Sequence, residues 1–474
     1  MRLVCIQEMN VHLQTRVPKV TLTIQPYPAY RPSGIPWLGD VPEHWEVLNL
    51  RNVLEGTSER NRPDLPLLSV VREQGVILRD ITNMEENHNF IPDDLSNYKV
   101  VKDGQFAMNK MKAWQGSYGV SRYDGIVSPA YFVYDIRGVD QDYFHTAIRS
   151  KAYVPLFGQA SDGIRIGQWD LSQSRMREIP FFVPPLPEQR AIVRYLDYVD
   201  RRIRRYVDAK RKLIALLEEE RQAVVNKAVT RGLDPNVCLK PSGLEWLGDV
   251  PEHWEVRRLK TICSMKSGDG ITAESIEAIG KYPVYGGNGL RGYASRYTHD
   301  GAFALIGRQG ALCGNVHIVR GQFWASEHAV VATLVGGHDI DWFGAVLTTM
   351  NLNQYSIAAA QPGLAVERVL NLHLPVPSQQ EQRGIANHIG RATAAIDAAI
   401  ARARRQVELV EEYRTRLIAD VVTGKLDVRE AAALLPDEAD DHEPIGEDGL
   451  QNGGTTEDIY VADGEPAIAE EVRI

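Results

Sequence analysis

Two stretches of the chain repeat apolar residues at helical spacing. Between Glu188 and Thr230 there is neither Gly nor Pro, and Arg, Lys, Glu, Leu and Ala dominate; these good helix formers predict one helix of about 42 residues, on the order of 60 Å long. Steps of three and four from Ile192 pass through Leu196, Val199, Ile203, Tyr206, Lys210, Leu213, Leu217, Glu220 and Val224, a heptad seam. Residues 381–430 predict a second long helix with a smaller stripe: Ile385, Ile389, Ala392, Ile396, Ala399, Ala403, Gln406, Val410, Tyr413 and Leu417. Gly384 and Gly390 argue against its first turns. No globular core needs so long a strut, so each stripe is expected to bury itself against the other in an antiparallel coiled coil. Lys210, Glu220 and Gln406 would fix its register.

Elsewhere the apolar runs are short and alternate. Leu67–Val71, Gly75–Leu78, Gln105–Met108 and Ala130–Asp135 in the first half, and Gly301–Ile306, Asn315–Val319 and Ala329–Val335 in the second, read as strands broken by Asn, Asp, Gly and Pro. The expected class is α+β.

The chain is also written twice. Residues 32–47, PSGIPWLGDVPEHWEV, match residues 241–256, PSGLEWLGDVPEHWEV, at fourteen of sixteen positions with an offset of 209. A later repeat, from Glu188-Gln189-Arg190 against Glu381-Gln382-Arg383 to Leu233-Asp234 against Leu426-Asp427, keeps an offset of 193. Each half thus has a constant opening and a constant exit around an interior that differs, the second being sixteen residues shorter. Unlike interiors in like frames suggest two readers of different targets. The Pro- and Gly-rich openings read as turns without regular structure, with Trp37, Trp45, Trp246 and Trp254 anchored in cores.

At 474 residues the chain exceeds a single ordinary domain about threefold. No apolar run is long enough to span a bilayer, and the first residues do not read as an export signal, so the cytoplasm is the expected location. Cys5, Cys238, Cys263 and Cys313 lie far apart and read as free thiols, with no zinc motif and no metal site. The net charge of −9 is unevenly distributed: residues 437–474 hold thirteen acidic residues against Arg473, a charge of −12, leaving +3 for residues 1–436. The tail from 431 is expected to be disordered; the mildly basic body permits DNA binding.

Two loops carry the chemistry that DNA requires. Asn109–Arg122 offers Lys110, Lys112 and Arg122 for phosphates, Gln115 and Ser117 as hydrogen-bonding groups, and the aromatics Trp114 and Tyr118. The second half offers Asn288 and Arg291 in Gly286–Tyr293, Arg308 and Gln309 in Gly307–Ala311, then Asn315, Glu327 and His328; Gln and Asn can pair bidentately with adenine, and Arg with guanine. Catalytic motifs are not found. There is no Asn/Asp-Pro-Pro-Tyr segment, Gly280-Lys281 lacks the rest of a P-loop, Thr423-Gly424-Lys425 reads as a helix stop, and Gly286-Gly287-Asn288-Gly289 is no dinucleotide fingerprint. His44 beside Glu43 and His253 beside Glu252 read as hydrogen-bonded turns.

With these residues in place, the chain over about 27–434 resembles the specificity subunit of type I restriction-modification enzymes. The resemblance is carried by Tyr27-Pro28-Ala29-Tyr30-Arg31-Pro32-Ser33-Gly34, the two WLGDVPEHWEV segments, Pro184–Arg190, Pro375–Pro377 with Gln380–Arg383, and the helix ends AVTRGLD and VVTGKLD. NKMKAWQGSYGVSRYDGIVSPAY and YPVYGGNGLRGYASRY look like target-recognition segments of that family. It implies an extension (1–26), a first target recognition domain (27–187), a central helix (188–231), a second recognition domain (232–380), a C-terminal helix (381–430) and the acidic tail, with an internal pseudo-two-fold repeat. It further implies that each domain reads half of a bipartite double-stranded DNA site. The helices would set the separation of the halves and dock two methyltransferase subunits, with motor-nuclease subunits joining for cleavage. S-adenosylmethionine, ATP and Mg²⁺ would belong to those partners, leaving this chain without a cofactor or a catalytic residue. A coiled-coil scaffold with two protein-binding heads is the alternative.

Overall fold

The computed structural model describes residues 24–436 apart from 36–38, 81–90, 93, 166–167, 311 and 357–362. The chain divides into two compact units, residues 1–196 with 419–474 and residues 197–418, so that each long helix contributes to both.

In the first unit, β1 (Glu46–Asn49) pairs antiparallel with β8 (Pro180–Val183). The central sheet runs β2 (Leu54–Thr57), β7 (Tyr131–Ile136), β5 (Phe106–Asn109), β6 (Tyr118–Val120). A hairpin of β3 (Leu68–Val71) and β4 (Gly75–Leu78) lies beside it. Helix α1 (Gln141–Ile148) starts at Asp140, whose carboxylate accepts from the backbone N–H groups of Asp142 and Tyr143, a standard N-cap. It buries Tyr143, Phe144, Ala147 and Ile148. Helix α2 (Leu186–Arg231) follows β8.

The second unit repeats the scheme. β9 (Glu255–Arg258) pairs with β16 (His373–Val376). β10 (Cys263–Ser267), β15 (Ala329–Leu334), β13 (His299–Gly307) and β14 (Val316–Ala325) follow the order of the first sheet, which continues through β11 (Tyr282–Gly286) to β12 (Gly289–Ala294). Helix α3 (Ile340–Thr349) is capped by Asp339 as α1 is by Asp140, and α4 (Gln379–Val422) closes the unit. The strands expected from alternation are present; β1, β2, β6, β8, β9, β10, β11, β12 and β16 were not expected, and Gly286–Tyr293, read as a loop, is a hairpin with its turn at Gly287-Asn288. Among the described residues Cys238, Cys263 and Cys313 are free.

Within the second unit α2 and α4 run antiparallel. Asp200 pairs with Arg414, Arg211 with Glu411 at 3.6 Å, Glu218 with Arg404 at 2.6 Å and Arg221 with Asp397 at 2.7 Å, so position rises on one helix as it falls on the other. Ile203, Val207, Ile400, Ala403 and Val410 are buried along this pair. Two of the ten expected α2 seam positions need correction. Leu213 is 41% exposed and Glu220 is exposed, because the seam runs one residue later, through Asp200, Val207, Ile214 and Arg221. Two of those four are charged and paired across the helices, so an apolar count steps past them.

Three boundaries also move. Despite Gly384 and Gly390, α4 is helical from Gln379, where Ser378 and Glu381 form a capping box: the Ser378 N–H donates to Glu381 at 3.1 Å and the Glu381 N–H to Ser378 at 3.3 Å. The helix stops at Val422 rather than 430, ahead of Gly424 at φ 75°. Residues 429–433, partly assigned to the tail, form a short helix with Ala431 and Ala432 buried. The remaining tail, 437–474, and residues 1–23 of the expected extension lie outside the described residues.

The repeated openings are clasps rather than plain turns. Short strands Tyr30–Pro32 and Asp40–Pro42 pair, as do Leu239–Pro241 and Asp249–Pro251. In the first unit Glu188 of α2 accepts from the Trp45 indole at 2.8 Å and the Tyr27 hydroxyl at 2.7 Å, with His44 at 2.7 Å. In the second, Glu381 of α4 meets His253 at 2.7 Å and Trp254 at 3.3 Å. Burial works to raise the Glu381 carboxyl; the bonds from His253, Ser378 and Trp254 outweigh it and hold the group below the usual carboxylate range. Trp45 and Trp254 are buried as expected. The neighbouring glutamine works identically in both copies. Gln189 accepts from the Asp140 N–H at 2.8 Å and donates to the Pro184 carbonyl at 2.7 Å; Gln382 accepts from the Asp339 N–H at 3.0 Å and donates to Pro377 at 2.9 Å.

Candidate nucleic-acid interface

The loop after β5 and the loop after β13 have one backbone design. The Asn109 N–H bonds the Ser117 carbonyl at 3.0 Å, and the Gly307 N–H bonds Asn315 at 2.9 Å. Inside the loops, Gln115 donates to Lys112 and Cys313 to Gly310, both at 3.0 Å. Gly116 at φ 95° and Gly314 at φ 91° make the same left-handed turn, which L side chains disfavour. Each loop is latched from outside by a buried leucine, Leu171 donating to the Lys110 carbonyl at 3.0 Å and Leu364 to Arg308 at 2.9 Å. Lys110 therefore corresponds to Arg308, Met111 to Gln309, Lys112 to Gly310, Trp114 to Leu312, Gln115 to Cys313 and Ser117 to Asn315.

The structure sorts the candidates by exposure. In the first unit Lys112 and Arg122 are exposed, and Arg122 is ion-paired with Asp142. Lys110 pairs with Asp170 at 3.0 Å. Trp114 is half-buried against Trp169, with ring centroids 5.1 Å apart, and Gln115 is half-buried. Ser117 and Tyr118 are corrections. Both are buried, and the Tyr118 ring packs on Phe106 and Phe157, where burial pushes its hydroxyl pKa up. They belong to the core under the loop and offer no surface to a duplex.

In the second unit the dispersed candidates come together. A Cβ on Gly287 would stand 2.9 Å from the His328 carbonyl and 3.7 Å from the Arg308 N, and one on Gly307 would stand 2.5 Å from the Gly287 carbonyl. The β11–β12 turn, the loop after β13 and the Ser326–His328 turn thus meet backbone to backbone. Asn288, Arg291, Gln309 and Asn315 are exposed around this junction. Arg308 donates to the Ser267 hydroxyl at 3.1 Å, and His328 pairs with Glu327 at 3.2 Å.

The latch leucines, the Trp169–Asp170 support and Ser267 were missed from sequence. A signal existed: Asp140-Gln141-Asp142-Tyr143-Phe144 and Asp339-Ile340-Asp341-Trp342-Phe343 mark a third repeat inside the interiors. Among the described residues no cluster of three or more His, Cys, Asp or Glu is placed to hold a metal, and no helix is long and apolar enough to cross a membrane.

Residues 251–407 match the family described as the type I restriction modification DNA specificity domain. A 134-residue stretch is 51% identical to the type I restriction enzyme EcoprrI specificity subunit of Escherichia coli, covering 27% of this chain and 33% of that one. The type I restriction enzyme MjaVIII specificity subunit of Methanocaldococcus jannaschii is 23% identical over 275 residues, 52% of this chain and 62% of that one. This chain therefore spans from a third to somewhat under two thirds of these relatives' lengths. A chain solved in work on complex assembly and conformational transition of the type I restriction-modification system superposes with a TM-score of 0.56 at 14% identity, covering 81% of this chain and 98% of that one. That likeness supports the duplicated fold. Residues 251–407 are thus similar to the type I restriction modification DNA specificity domain, and the chain that carries them is similar to type I specificity subunits.

Proposed function

We propose that this chain reads a bipartite double-stranded DNA site, one half through each unit, and supplies the address for methyltransferase and motor-nuclease partners. The observation that carries the reading is the latched loop, built twice on one backbone plan with different side chains at corresponding positions. Its cations would seek phosphates, and its amides and guanidinium groups base edges. S-adenosylmethionine, ATP and Mg²⁺ would be used by the partners, two methyltransferase subunits among them, and this chain would catalyse nothing. Its place of work would be the cytosol.

The test is equilibrium DNA binding by the full chain, alone and with its methyltransferase subunit, across a salt series. The expected outcome is a steep fall in affinity with added salt from counterion release, and a bipartite methylated motif in cells carrying the system. Salt-independent behaviour, or no DNA binding even in complex, would favour the scaffold with two protein-binding heads.

A further inference from the structure

In the first unit two cations face each other across one bridge. Residues 59–61 run beside the short strand Lys99–Val101, which pairs on its own account with Gly125–Val127. The Val100 N–H donates to the Glu59 carbonyl at 2.9 Å, and Arg60 stands directly opposite Lys99 in antiparallel sense. Residues opposed in this way send their side chains to one face, where like charges destabilise the pairing. Asn61 follows in the left-handed region at φ 65°, with its N–H on the Ser96 carbonyl at 3.0 Å.

The Lys99 ammonium is half-buried. It donates to the Tyr131 carbonyl at 2.5 Å and lies 5.7 Å from the centre of the Phe132 ring. Burial, and then the charges of Arg60 and Lys110, hold its pKa below the usual lysine value. Arg60 is exposed. Glu59 is engaged by Lys102 at 2.7 Å, Asp64 by Arg62 at 2.7 Å and Asp170 by Lys110 at 3.0 Å. Among the described residues neither Arg60 nor Lys99 has an ion pair. Tyr131 ties the pair to the candidate loop: it stands opposite Asn109, the last residue of β5, and its hydroxyl accepts from the Asn109 amide at 3.2 Å. Lys110 and the rest of the loop follow at once.

We infer that Arg60 and Lys99 together hold one phosphate of the DNA backbone, beside the bases that the loop after β5 reads. An anion between opposed cations removes their repulsion, and a guanidinium beside an ammonium offers several charged donors to its oxygens. The inference rests on the proposed reading of DNA and adds a contact that fixes position while carrying no base code.

The experiment is equilibrium binding of the full chain, in complex with its methyltransferase subunit, to a duplex of random sequence across a salt series. Arg60→Glu places a carboxylate where the phosphate would sit. It is expected to raise the thermal midpoint, because an ion pair with Lys99 replaces a repulsion. The same variant is expected to make the slope of log affinity against log salt shallower by about one, the share of one phosphate. Lys99→Gln should match that slope, and Arg60→Lys should keep the slope of the unaltered chain. Because Arg60 is exposed, its variants decide the matter even if Lys99→Gln fails to fold. Arg405→Glu on α4, with the same change of charge, should leave the slope unaltered. An unchanged slope in Arg60→Glu, or an equal loss in Arg405→Glu, overturns the phosphate clamp while leaving the proposed reading standing. Salt-independent binding, or none, by the unaltered chain overturns both.

Discussion

Trp45 donates its indole N–H to Glu188, 143 residues further along the chain, at 2.8 Å. The same carboxylate holds Tyr27 and His44 and is almost fully buried, whereas Glu381 is more exposed and receives a longer bond from its tryptophan. Glu188→Ala therefore leaves buried donors without an acceptor and should cost about 3 kcal/mol, against about 1 kcal/mol for Glu381→Ala. Denaturant unfolding that resolves the two units checks the difference; equal losses would contradict the clasp.

Gly424 and Gly232 end the two helices in the left-handed region, at φ 75° and 74°. A Cβ on Gly424 would stand 2.4 Å from the Pro42 ring, and one on Gly232 3.2 Å from the Trp254 ring. Both alanine variants carry about 1 kcal/mol or more of backbone strain, and Gly424→Ala adds a clash with a rigid ring. It should be the more destabilised by a further kcal/mol or so, read as the difference in thermal midpoint.

His145 accepts the Val120 N–H on Nδ1 at 3.1 Å, and burial, with Arg149 and Arg122 nearby, pushes its pKa down to about 4. The unfolded imidazole titrates near 6.5, so below that pH the unfolded chain binds a proton that the folded one refuses. Stability of the first unit should fall as pH drops from about 6.5 toward 4, by up to roughly 1.4 kcal/mol per pH unit, and level off below. His145→Asn keeps an acceptor without the titration and should flatten the profile. Melts between pH 7 and 4 decide it.

Tyr118 separates a core role from a reading role. Among the described residues its buried hydroxyl has no hydrogen-bond partner, so Tyr118→Phe should leave DNA affinity unchanged and be neutral or stabilising by up to about 1 kcal/mol. Lys112→Ala should weaken DNA binding on every sequence, while Gln309→Ala should change base preference in one half-site only. Competition between specific and random duplexes distinguishes these outcomes.

The coiled coil carries its own test. Asp200 pairs with Arg414 and, along its own helix, with Arg204 at 2.7 Å. Removing Asp200 alone leaves a partly buried guanidinium with one fewer partner and should cost about 1–2 kcal/mol, whereas Asp200→Leu with Arg414→Met should be neutral or stabilising. A double-mutant cycle by denaturation reads the coupling.

Duplication, long helices and the α+β class were legible because each is written as a long or repeated signal. Ile203, Ala403 and Val410 fall on the expected seam because apolar burial has a period. Asp200 and Arg221 were invisible to that pattern, since their seam positions depend on partners far away in sequence. The candidate loops were legible as chemistry but not as geometry. Nothing in Tyr118 itself marks it as buried while Lys112, six residues earlier, is exposed; the turn at Gly116 decides that. The equivalence of the interiors was obscured because strands keep alternation rather than identity, leaving the Asp-x-Asp run as its clearest written trace.

Both latches act through main-chain atoms, Leu171 on the Lys110 carbonyl and Leu364 on that of Arg308. A peptide group is the same whatever letter it carries, so the exposed positions between the anchors are released from any duty to folding. Mutation there can rewrite the address while the scaffold stays intact, and a lineage could acquire new targets by small edits without first surviving a misfolded ancestor.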